Sequence, residues 1–255
     1  MAVGELLRHW RGVRRLSQLA LALEAETTTR HLSFIETGRS QPSRAMVLRL
    51  ARVLDVPIRE RNQLLLAAGY APVYTETGLA AEDAALVAAA LARMLEGHEP
   101  YPAVVMDRHW NILDRNRAAQ ALFGWLLRER APGDGPGNLI RNFFDPGGLR
   151  PYVANWDEAA NALLQRVHRE ATGGVPDAET IALLEEVLAQ PGVPRPDLTR
   201  PLLPIVPVVF SRDGRTFSYF SAVTTLGTPQ DALLQELRVE CLHPADEQTA
   251  ARPAP

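Results

Sequence analysis

The first 70 residues are divided into short helical segments by capping residues and glycines, and this punctuation leaves little freedom for the fold. Leu6, Leu7, Trp10 and Val13 recur at helical spacing within the first segment. Ser17, Thr28 and Ser43 precede three further segments as N-cap residues, and Gly38 and Gly69 end two of the segments. The predicted helices are Gly4–Val13, Gln18–Ala25, Thr29–Thr37, Arg44–Leu54 and Arg59–Ala68. Short helices joined by tight turns predict one compact all-α module.

Beyond residue 100 the pattern changes to short apolar strands mixed with helices. The dipeptide Asp213-Gly214 between two apolar runs is a strong hairpin signal. The predicted strands are 102–106, 110–114, 206–211, 216–225 and 234–242. The predicted helices are 84–97, 116–127, 153–171 and 177–189, with Gly- or Pro-rich loops at 131–137 and 191–204. The second part is therefore predicted to be an α+β domain with an antiparallel sheet.

Charge is distributed unevenly along the 255 residues, although the formal net charge is only −3. Residues 1–70 carry 11 arginines against 6 acidic residues, whereas residues 71–255 carry 16 arginines against 24 acidic residues. A basic N-terminal module on an acidic remainder indicates that nucleic acid binds at one end of the chain.

Several classes of site and of protein are disfavoured by the residues present. A single cysteine, Cys241, excludes an intramolecular disulfide framework and a cysteine metal cluster. The histidines have no metal-ligand spacing, and neither a nucleophile elbow nor a phosphate-binding glycine loop occurs. No run approaches the ~18 apolar residues of a membrane span, and no signal peptide precedes the first helix. We therefore expect a cytoplasmic protein that is not an enzyme and needs no metal or cofactor.

The segment Leu16–Ser43 carries a set of residues at a known spacing. The set comprises Ser17-Gln18, Ala22, the run Ile35–Arg39 and Pro42-Ser43. Together these residues resemble the DNA-binding helix-turn-helix of the XRE repressor family. The resemblance implies that the second helix of the motif lies in the major groove of double-stranded operator DNA.

The outer face of that second helix supplies the candidates for DNA contact. Thr29, Arg30 and Ser33 are the predicted base-edge residues, and Arg30 suits guanine. Phe34 either touches a thymine methyl group or packs against the protein. Helix N-termini and loops usually hold phosphates, and there the candidates are Gln18, Thr28, Arg39, Ser40 and Arg44. The alternative interpretation is a helical module for protein interaction.

Two residues of the motif have other predicted roles. Glu36 is assigned a structural role, bound to nearby backbone or to an arginine. Glu26 stands where the family's turn usually has glycine, at a position that often needs a positive φ. That conformation costs another residue roughly 1 kcal/mol or more, so we expect a strained or a reshaped turn.

Six stretches of the second part occur in a recognisable order. They are Glu99–Val105, Trp110–Ile112, Asn116–Ala119, Asn138–Phe144, Asn155–Glu158 and Phe220–Pro229. In this order they resemble the C-terminal domain of MmyB-like transcription regulators. The resemblance implies a PAS-like domain, in which helices wrap a sheet around an apolar pocket, with a fatty-acid-like ligand and a homodimeric state. Leu226, Leu242 and His243 replace aromatic residues, which predicts a different pocket or rim.

Candidate ligand contacts in this domain are mostly aromatic. A pocket for a small apolar ligand needs apolar walls and a few polar anchors. Arg141 is the first candidate to bind a carboxylate, and Asn116 is a second polar anchor. The proposed wall consists of Trp110, Phe123, Phe144, Trp156, Phe210 and Tyr219. The alternatives are that the aromatic side chains form plain core, that Arg141 forms an ion pair, and that Asn116 caps its helix.

These observations predict a domain order and a function. The order is a helix-turn-helix domain at 1–70, a linker and connecting helix at 71–98, a PAS-like ligand-binding domain at 99–245 and a mobile tail at 246–255. The predicted function is a bacterial DNA-binding transcription regulator that senses a small apolar, fatty-acid-like ligand. The alternative is a regulator whose C-terminal domain only dimerises or recruits another protein.

Overall fold

Five short helices form at the N-terminus, and their order is the one that the sequence predicts. The computed structural model describes residues 1–74, 81–128, 137–172, 177–199, 205–227 and 231–252. It divides into a helical unit built on these five helices and an α+β unit that contains the sheet. The five helices are α1 Val3–Val13, α2 Gln18–Glu24, α3 Thr29–Glu36, α4 Arg44–Val53 and α5 Ile58–Ala67.

Side-chain caps fix where three of these helices begin. The hydroxyl groups of Ser17, Thr28 and Ser43 accept hydrogen bonds from backbone N–H groups in the first turns of α2, α3 and α4. Each cap satisfies one donor that the helix itself cannot pair. Gly38 and Gly69 follow α3 and α5 with φ of 74° and 81°, a conformation that glycine adopts without strain.

A close contact between α1 and the end of α3 depends on a glycine. A Cβ added at Gly4 would overlap the carbonyl oxygen of Ile35 and lie 2.8 Å from that of Glu36. Both obstacles are backbone atoms, which cannot rotate away as a side chain can. Gly12, on the same helix, has open space around the equivalent position.

Glycine-to-alanine substitutions at these two positions of α1 should therefore have opposite effects on stability. Gly4→Ala is expected to lower the free energy of unfolding of the helical unit by about 1–3 kcal/mol, because α1 must move away from α3. Gly12→Ala is expected to raise it by about 0.5–1 kcal/mol, because alanine is the better helix former. Urea unfolding with hydrogen exchange of the α1 amides would measure both. Equal effects of the two substitutions would contradict this packing.

The α+β unit is built on a five-stranded antiparallel sheet in the order β2-β1-β5-β4-β3. The strands are β1 Ala103–Met106, β2 Ile112–Arg115, β3 Val208–Arg212, β4 Arg215–Thr225 and β5 Arg238–Pro244. The helices of this unit are α6 Ala81–Gly97, α7 Arg117–Leu126, α8 Leu139–Phe144, α9 Trp156–Thr172, α10 Ala178–Leu188 and α12 Glu247–Ala251, with a short 3₁₀ helix at Arg150–Tyr152. All but the last residue of α11 Ala232–Glu236 groups with the helical unit. The chain thus has an all-α domain followed by a PAS-like α+β domain, and this confirms the predicted fold class.

Each face of the sheet is covered by a different group of helices. One face carries the larger core, which includes Trp110, Phe144 and Tyr219 together with residues of α7, α8, α9 and α10. The other face carries a small cluster of Leu95 from α6 with residues of β1 and β5. The hairpin between β3 and β4 turns at Asp213 and Gly214, whose φ angles are 49° and 73°, as the Asp-Gly signal predicts.

The sequence-based boundaries shift by one to three residues at several ends, and the structure departs further from the prediction at three places. Residues 139–144 form α8, which was not predicted, because Asn138 caps it from a segment that reads as loop. Residues 234–236 belong to α11 and not to the last strand. The tail predicted to be mobile forms α12, where buried Thr249 accepts a hydrogen bond from the backbone N–H of Ser218 (2.9 Å).

Some predicted segments lie outside the described residues. They are 75–80 of the linker, 131–136 and 200–204 of the two loops, and 253–255 of the tail. Across the part of the chain that the structure covers, no helix is both long and apolar enough to cross a membrane.

Candidate functional site

Helices α2 and α3 pack through small and branched apolar side chains, which leaves one face of α3 open. Ala22, Leu32 and Ile35 are buried between the helices. Arg30 is exposed, and Thr29 and Ser33 are partly exposed on the opposite face. This is the arrangement in which the N-terminal residues of a second helix can reach base edges.

Arg30 and Phe34 contact each other on the open face of α3. The guanidinium carbon of Arg30 lies 5.4 Å from the centroid of the Phe34 ring. A cation over an aromatic face at this distance is attracted to it. The contact therefore limits where the Arg30 guanidinium can move before DNA is bound.

Glu36, at the other end of α3, is the centre of a buried polar network. Its carboxylate accepts hydrogen bonds from Arg11 Nε (2.7 Å), Arg11 Nη2 (3.0 Å) and Gln18 Nε2 (2.8 Å). Burial alone would raise the pKa of Glu36, but the hydrogen bonds from Arg11 and Gln18 outweigh it and hold the pKa below its ordinary value. The predicted structural role of Glu36 matches this arrangement.

The residues predicted to bind phosphate lie around the helix N-termini and the turn after α3. Thr28, Arg39 and Arg44 are exposed, and Ser40 is partly exposed. The backbone N–H groups of Arg39 and Ser40 both donate to the carbonyl oxygen of Phe34, so phosphate contacts there fall to the side chains. Gln18 binds Glu36, and its contact with DNA stays a prediction.

The turn between α2 and α3 has the backbone conformation expected at Glu26. Its φ is 52°, and its carboxylate lies 3.3 Å from Arg49 Nη1. The turn is thus strained and not reshaped, and α3 begins at Thr29 after the Thr28 cap.

We expect Glu26→Gly to raise the free energy of unfolding by up to about 1 kcal/mol. Glycine removes the left-handed strain of about 1–2 kcal/mol, but it also increases the entropy of the unfolded chain. The ion pair lost with Arg49 is exposed and contributes little. Urea unfolding measures the effect, and Glu26→Gln, which removes the charge but keeps the strain, is the control. A lower stability for Glu26→Gly than for Glu26→Gln would contradict the strain at this position.

A cavity of about 170 Å³ lies on the larger-core face of the sheet in the α+β unit. Its walls combine alternate residues of β3, β4 and β5 and the start of β1 with side chains from α7, α8 and α9. Apolar side chains dominate the lining, which includes Phe123, Leu139, Phe143, Leu163, Val208, Phe210 and Leu242. A predominantly apolar lining is typical of a site for a small apolar molecule.

Charged side chains occupy one part of the cavity wall. Arg166 and Glu240 both line it, with Arg166 Nη1 3.3 Å from Glu240 Oε2. Arg166 Nε also lies 3.5 Å from Glu170 Oε1, and Arg238 Nη1 lies 2.9 Å from that same oxygen. The Arg166 guanidinium carbon is 4.3 Å from the ring centroid of Trp110, whose Nε1 donates to Glu170 Oε2 (3.0 Å). Arg166, Arg238 and Glu170 thus contact Trp110, and Glu240 joins this network through Arg166.

Three of the eight predicted ligand contacts line the cavity: Phe123, Phe210 and Tyr219. Tyr219 is fully buried, and burial raises the pKa of its phenol, so the hydroxyl stays protonated over the physiological range. Ser221, next but one along β4, also lines the cavity.

The other five predicted contacts lie elsewhere in the same unit. Arg141 pairs with Glu186 through an exposed ion pair (2.9 Å). Asn116 caps α7 by accepting from the Ala119 N–H (2.9 Å). Both match the alternatives stated from the sequence. Trp110, Phe144 and Trp156 pack into the core beside the cavity and are not among the residues that line it.

Arg166 and Glu240 were not predicted, although the sequence contains a signal for each. Ala159, Ala162, Leu163 and Arg166 recur at helical spacing, which places an arginine on the apolar face of α9. Glu240 and Leu242 alternate along β5 and therefore share a face. A charged residue within an apolar face indicates a buried ion pair or a polar anchor.

No other reactive group stands out in the described ranges. Burial raises the pKa of the Cys241 thiol, which disfavours the thiolate that a nucleophile needs. Within those ranges no cluster of His, Cys, Asp and Glu side chains is arranged to hold a metal ion.

Comparison with known proteins found two matching family models. Residues 2–64 match a helix-turn-helix domain, and residues 87–254 match the ligand-binding domain of MmyB-like transcription regulators. No curated protein matched the chain. A solved structure of an RNA-binding light-oxygen-voltage receptor is similar, with 12% identity and a TM-score of 0.33. That similarity covers 99% of this chain but 60% of the receptor chain, and it is too weak to support an inference.

Proposed function

Because the chain belongs to the MmyB-like transcription regulators, with a DNA-binding helix-turn-helix domain and a ligand-binding domain, we propose that a small apolar ligand in the cavity controls its binding to operator DNA. The observation that carries the proposal is the cavity of about 170 Å³ with predominantly apolar walls. A domain that only dimerises has no need of such a space, since protein cores are normally close-packed.

The DNA half of the proposal assigns roles by chemistry. Arg30, Thr29 and Ser33 would contact base edges, whereas Arg39 and Arg44 would contact phosphates. The excess of arginine over acidic residues in 1–70 supports attraction to the DNA backbone.

In the ligand half of the proposal, the ligand shifts the protein between two arrangements, of which one is competent to bind DNA. A ligand changes DNA affinity only if it binds the DNA-competent arrangement of the protein more or less tightly than the other arrangement. The fatty-acid-like ligand and the homodimer are the expectations that the family resemblance contributes. A homodimer would suit an operator with two half-sites one helical turn apart.

Two further parts of the proposal follow from the family and from the DNA partner. Both matching families are those of transcription regulators, so we assign the chain no enzymatic activity. A protein that regulates operator DNA in a bacterium would work in the cytoplasm.

Two measurements on the purified full chain test the proposal. Selection from random duplex DNA, followed by fluorescence anisotropy, should yield a preferred operator whose affinity falls steeply with salt. Native mass spectrometry with solvent extraction should find a stoichiometric apolar compound and give the mass of the dimer. Absence of any sequence preference would refute the DNA half. A chain that is empty as isolated and also binds no apolar molecule would favour a C-terminal domain for dimerisation or recruitment.

A further inference from the structure

Helix α6 is apolar around its whole circumference, yet the apolar cluster that it joins lies near its C-terminal end. Residues 84–92 are all alanine, leucine or valine. Leu95 is buried against β1 and β5, and Leu91 and Met94 pack beside it while partly exposed. A helix that is apolar on all sides is normally buried on all sides. Along most of α6, the described residues therefore leave an apolar surface open to water.

The open face of α6 consists of residues three or four apart, which lie on one side of a helix. All of them are exposed, and they are Glu82, Ala85, Leu86, Ala89, Ala92, Arg93 and Glu96. Leu86, near the middle of this face, keeps 70% of its surface exposed. A lone exposed leucine is common, whereas a continuous apolar patch bordered by charged residues indicates an interaction surface.

The charges near the two ends of this face select its occupant. Glu82 and Arg93 are separated by three turns, about 16.5 Å along the helix. When a second α6 runs antiparallel to the first, Arg93 of each helix lies opposite Glu82 of the other, and Leu86 lies opposite Ala89. A parallel pair would place Glu82 against Glu82 and Arg93 against Arg93, and like charges repel. The face is thus complementary to itself in the antiparallel orientation.

The alanines of the face allow two such helices to approach closely. Interaxial distances of packed helices are about 8–10 Å and depend on the side chains at the contact, so alanine favours the short end of this range. In a two-fold symmetric pair each contact occurs twice. One interface would therefore bury two leucines, each over an alanine of the other helix, and form two Glu82–Arg93 pairs at its edges.

From this surface and its charges, we infer that α6 is a dimerisation helix, which packs antiparallel against α6 of a second copy of this chain. The two-fold axis would pass between residues 87 and 88. This inference rests on the homodimer of the proposed function and deepens it, because it assigns the surface through which the two copies meet.

Sedimentation velocity of the full chain without DNA, over a wide range of concentration, measures the dimer dissociation constant. Leu86→Glu should raise this constant at least ten-fold, because it would bury an unpaired charge against Ala89 of the second copy. Leu113→Glu is the matched control and should leave the constant unchanged, since it places the same charge at another exposed leucine (54%) of the same unit.

Charge reversal tests the orientation of the two helices. Arg93→Glu sets acidic groups against each other in an antiparallel pair and should raise the dissociation constant at least five-fold. Adding Glu82→Arg to the same chain restores opposite charges and should return the constant to that of the wild type. In a parallel pair like charges face each other before and after either change, so neither would have an effect. Arg169→Glu, an exposed change in the last turn of α9, controls for net charge.

Each outcome either supports or overturns the inference. Weakening by Leu86→Glu and by Arg93→Glu, with recovery in the double charge variant, supports it. A dimer that Arg93→Glu leaves unchanged would overturn the antiparallel pair. A dimer that no α6 substitution affects would overturn the assigned surface while the proposed homodimer stands. A chain that stays monomeric would overturn both, and operator binding measured on the same samples shows separately whether the proposed DNA function stands.

Discussion

Replacing Arg11 with methionine is expected to destabilise the helical unit by about 3–5 kcal/mol, because it leaves the Glu36 carboxylate buried without its bidentate partner. The Glu36 side chain is fully buried, and Arg11 supplies its shortest hydrogen bond, at 2.7 Å. Gln18 and Arg8 would remain nearby, but neither offers two parallel N–H donors at close range. Urea unfolding of the full chain, with hydrogen exchange of the α3 amides, would measure the loss.

Two control variants test whether the loss comes from the buried pair of Arg11 and Glu36. Arg49→Met breaks the exposed pair with Glu26 and should cost no more than about 1 kcal/mol. Adding Glu36→Leu to Arg11→Met removes the stranded charge and should recover much of the loss. A double variant as unstable as Arg11→Met would show that Glu36 does not depend on Arg11.

The same pair predicts how stability changes with pH. The pKa of Glu36 is lower in the folded chain than its ordinary value of 4.5. The stabilisation from its ionised form is therefore fully present above that value, and it is lost as the pH falls through the folded-state pKa. The difference between wild type and Arg11→Met should be largest at neutral pH and should narrow in acid.

Arg30→Ala is expected to weaken operator binding by about 1–3 kcal/mol and to relax the choice of base at one position. The guanidinium group is exposed on the open face of α3 and is held by the Phe34 ring, which suits a bidentate contact with guanine. Arg39→Ala should instead weaken binding to all sequences and reduce the salt slope by about 1.

Anisotropy titrations against the selected operator and its single-base variants would compare these substitutions. Arg52→Ala, an exposed change at the end of α4, is the matched control and should have little effect. If Arg30→Ala lowers affinity but keeps the base preference, the base contact belongs to another residue.

Local chemistry made much of the fold predictable. Ser17, Thr28, Ser43 and Asn116 each cap a helix in the structure, because a side-chain oxygen before a helix has a specific donor to satisfy. The Asp-Gly hairpin was predictable for a similar reason, since few dipeptides accept its two positive φ angles. Helix α8 also has a side-chain cap, Asn138, but its six residues make fewer than two turns and show no helical period in the sequence. The start of β5 was not predictable, because it depends on pairing with distant strands.

The sequence predicted an apolar cavity but not which residues line it. Aromatic residues such as Trp110 and Tyr219 look alike in sequence, yet Tyr219 lines the cavity while Trp110 packs behind it. Whether a buried aromatic side chain meets core or cavity depends on the helices opposite, and this cannot be read from one strand. Arg141 was predicted to bind a carboxylate because of its charge, but it is exposed and paired with Glu186. Arg166, which does line the cavity, lies on an apolar helix face.

One comparison tests directly whether occupancy of the cavity and binding of operator DNA are coupled. Operator affinity is measured for the full chain with the ligand extracted from it and again after that ligand is removed. We predict at least a five-fold difference in operator Kd, and the same factor between the ligand affinities of free and operator-bound protein. Equal affinities in the two states would contradict the coupling, however tightly the ligand binds.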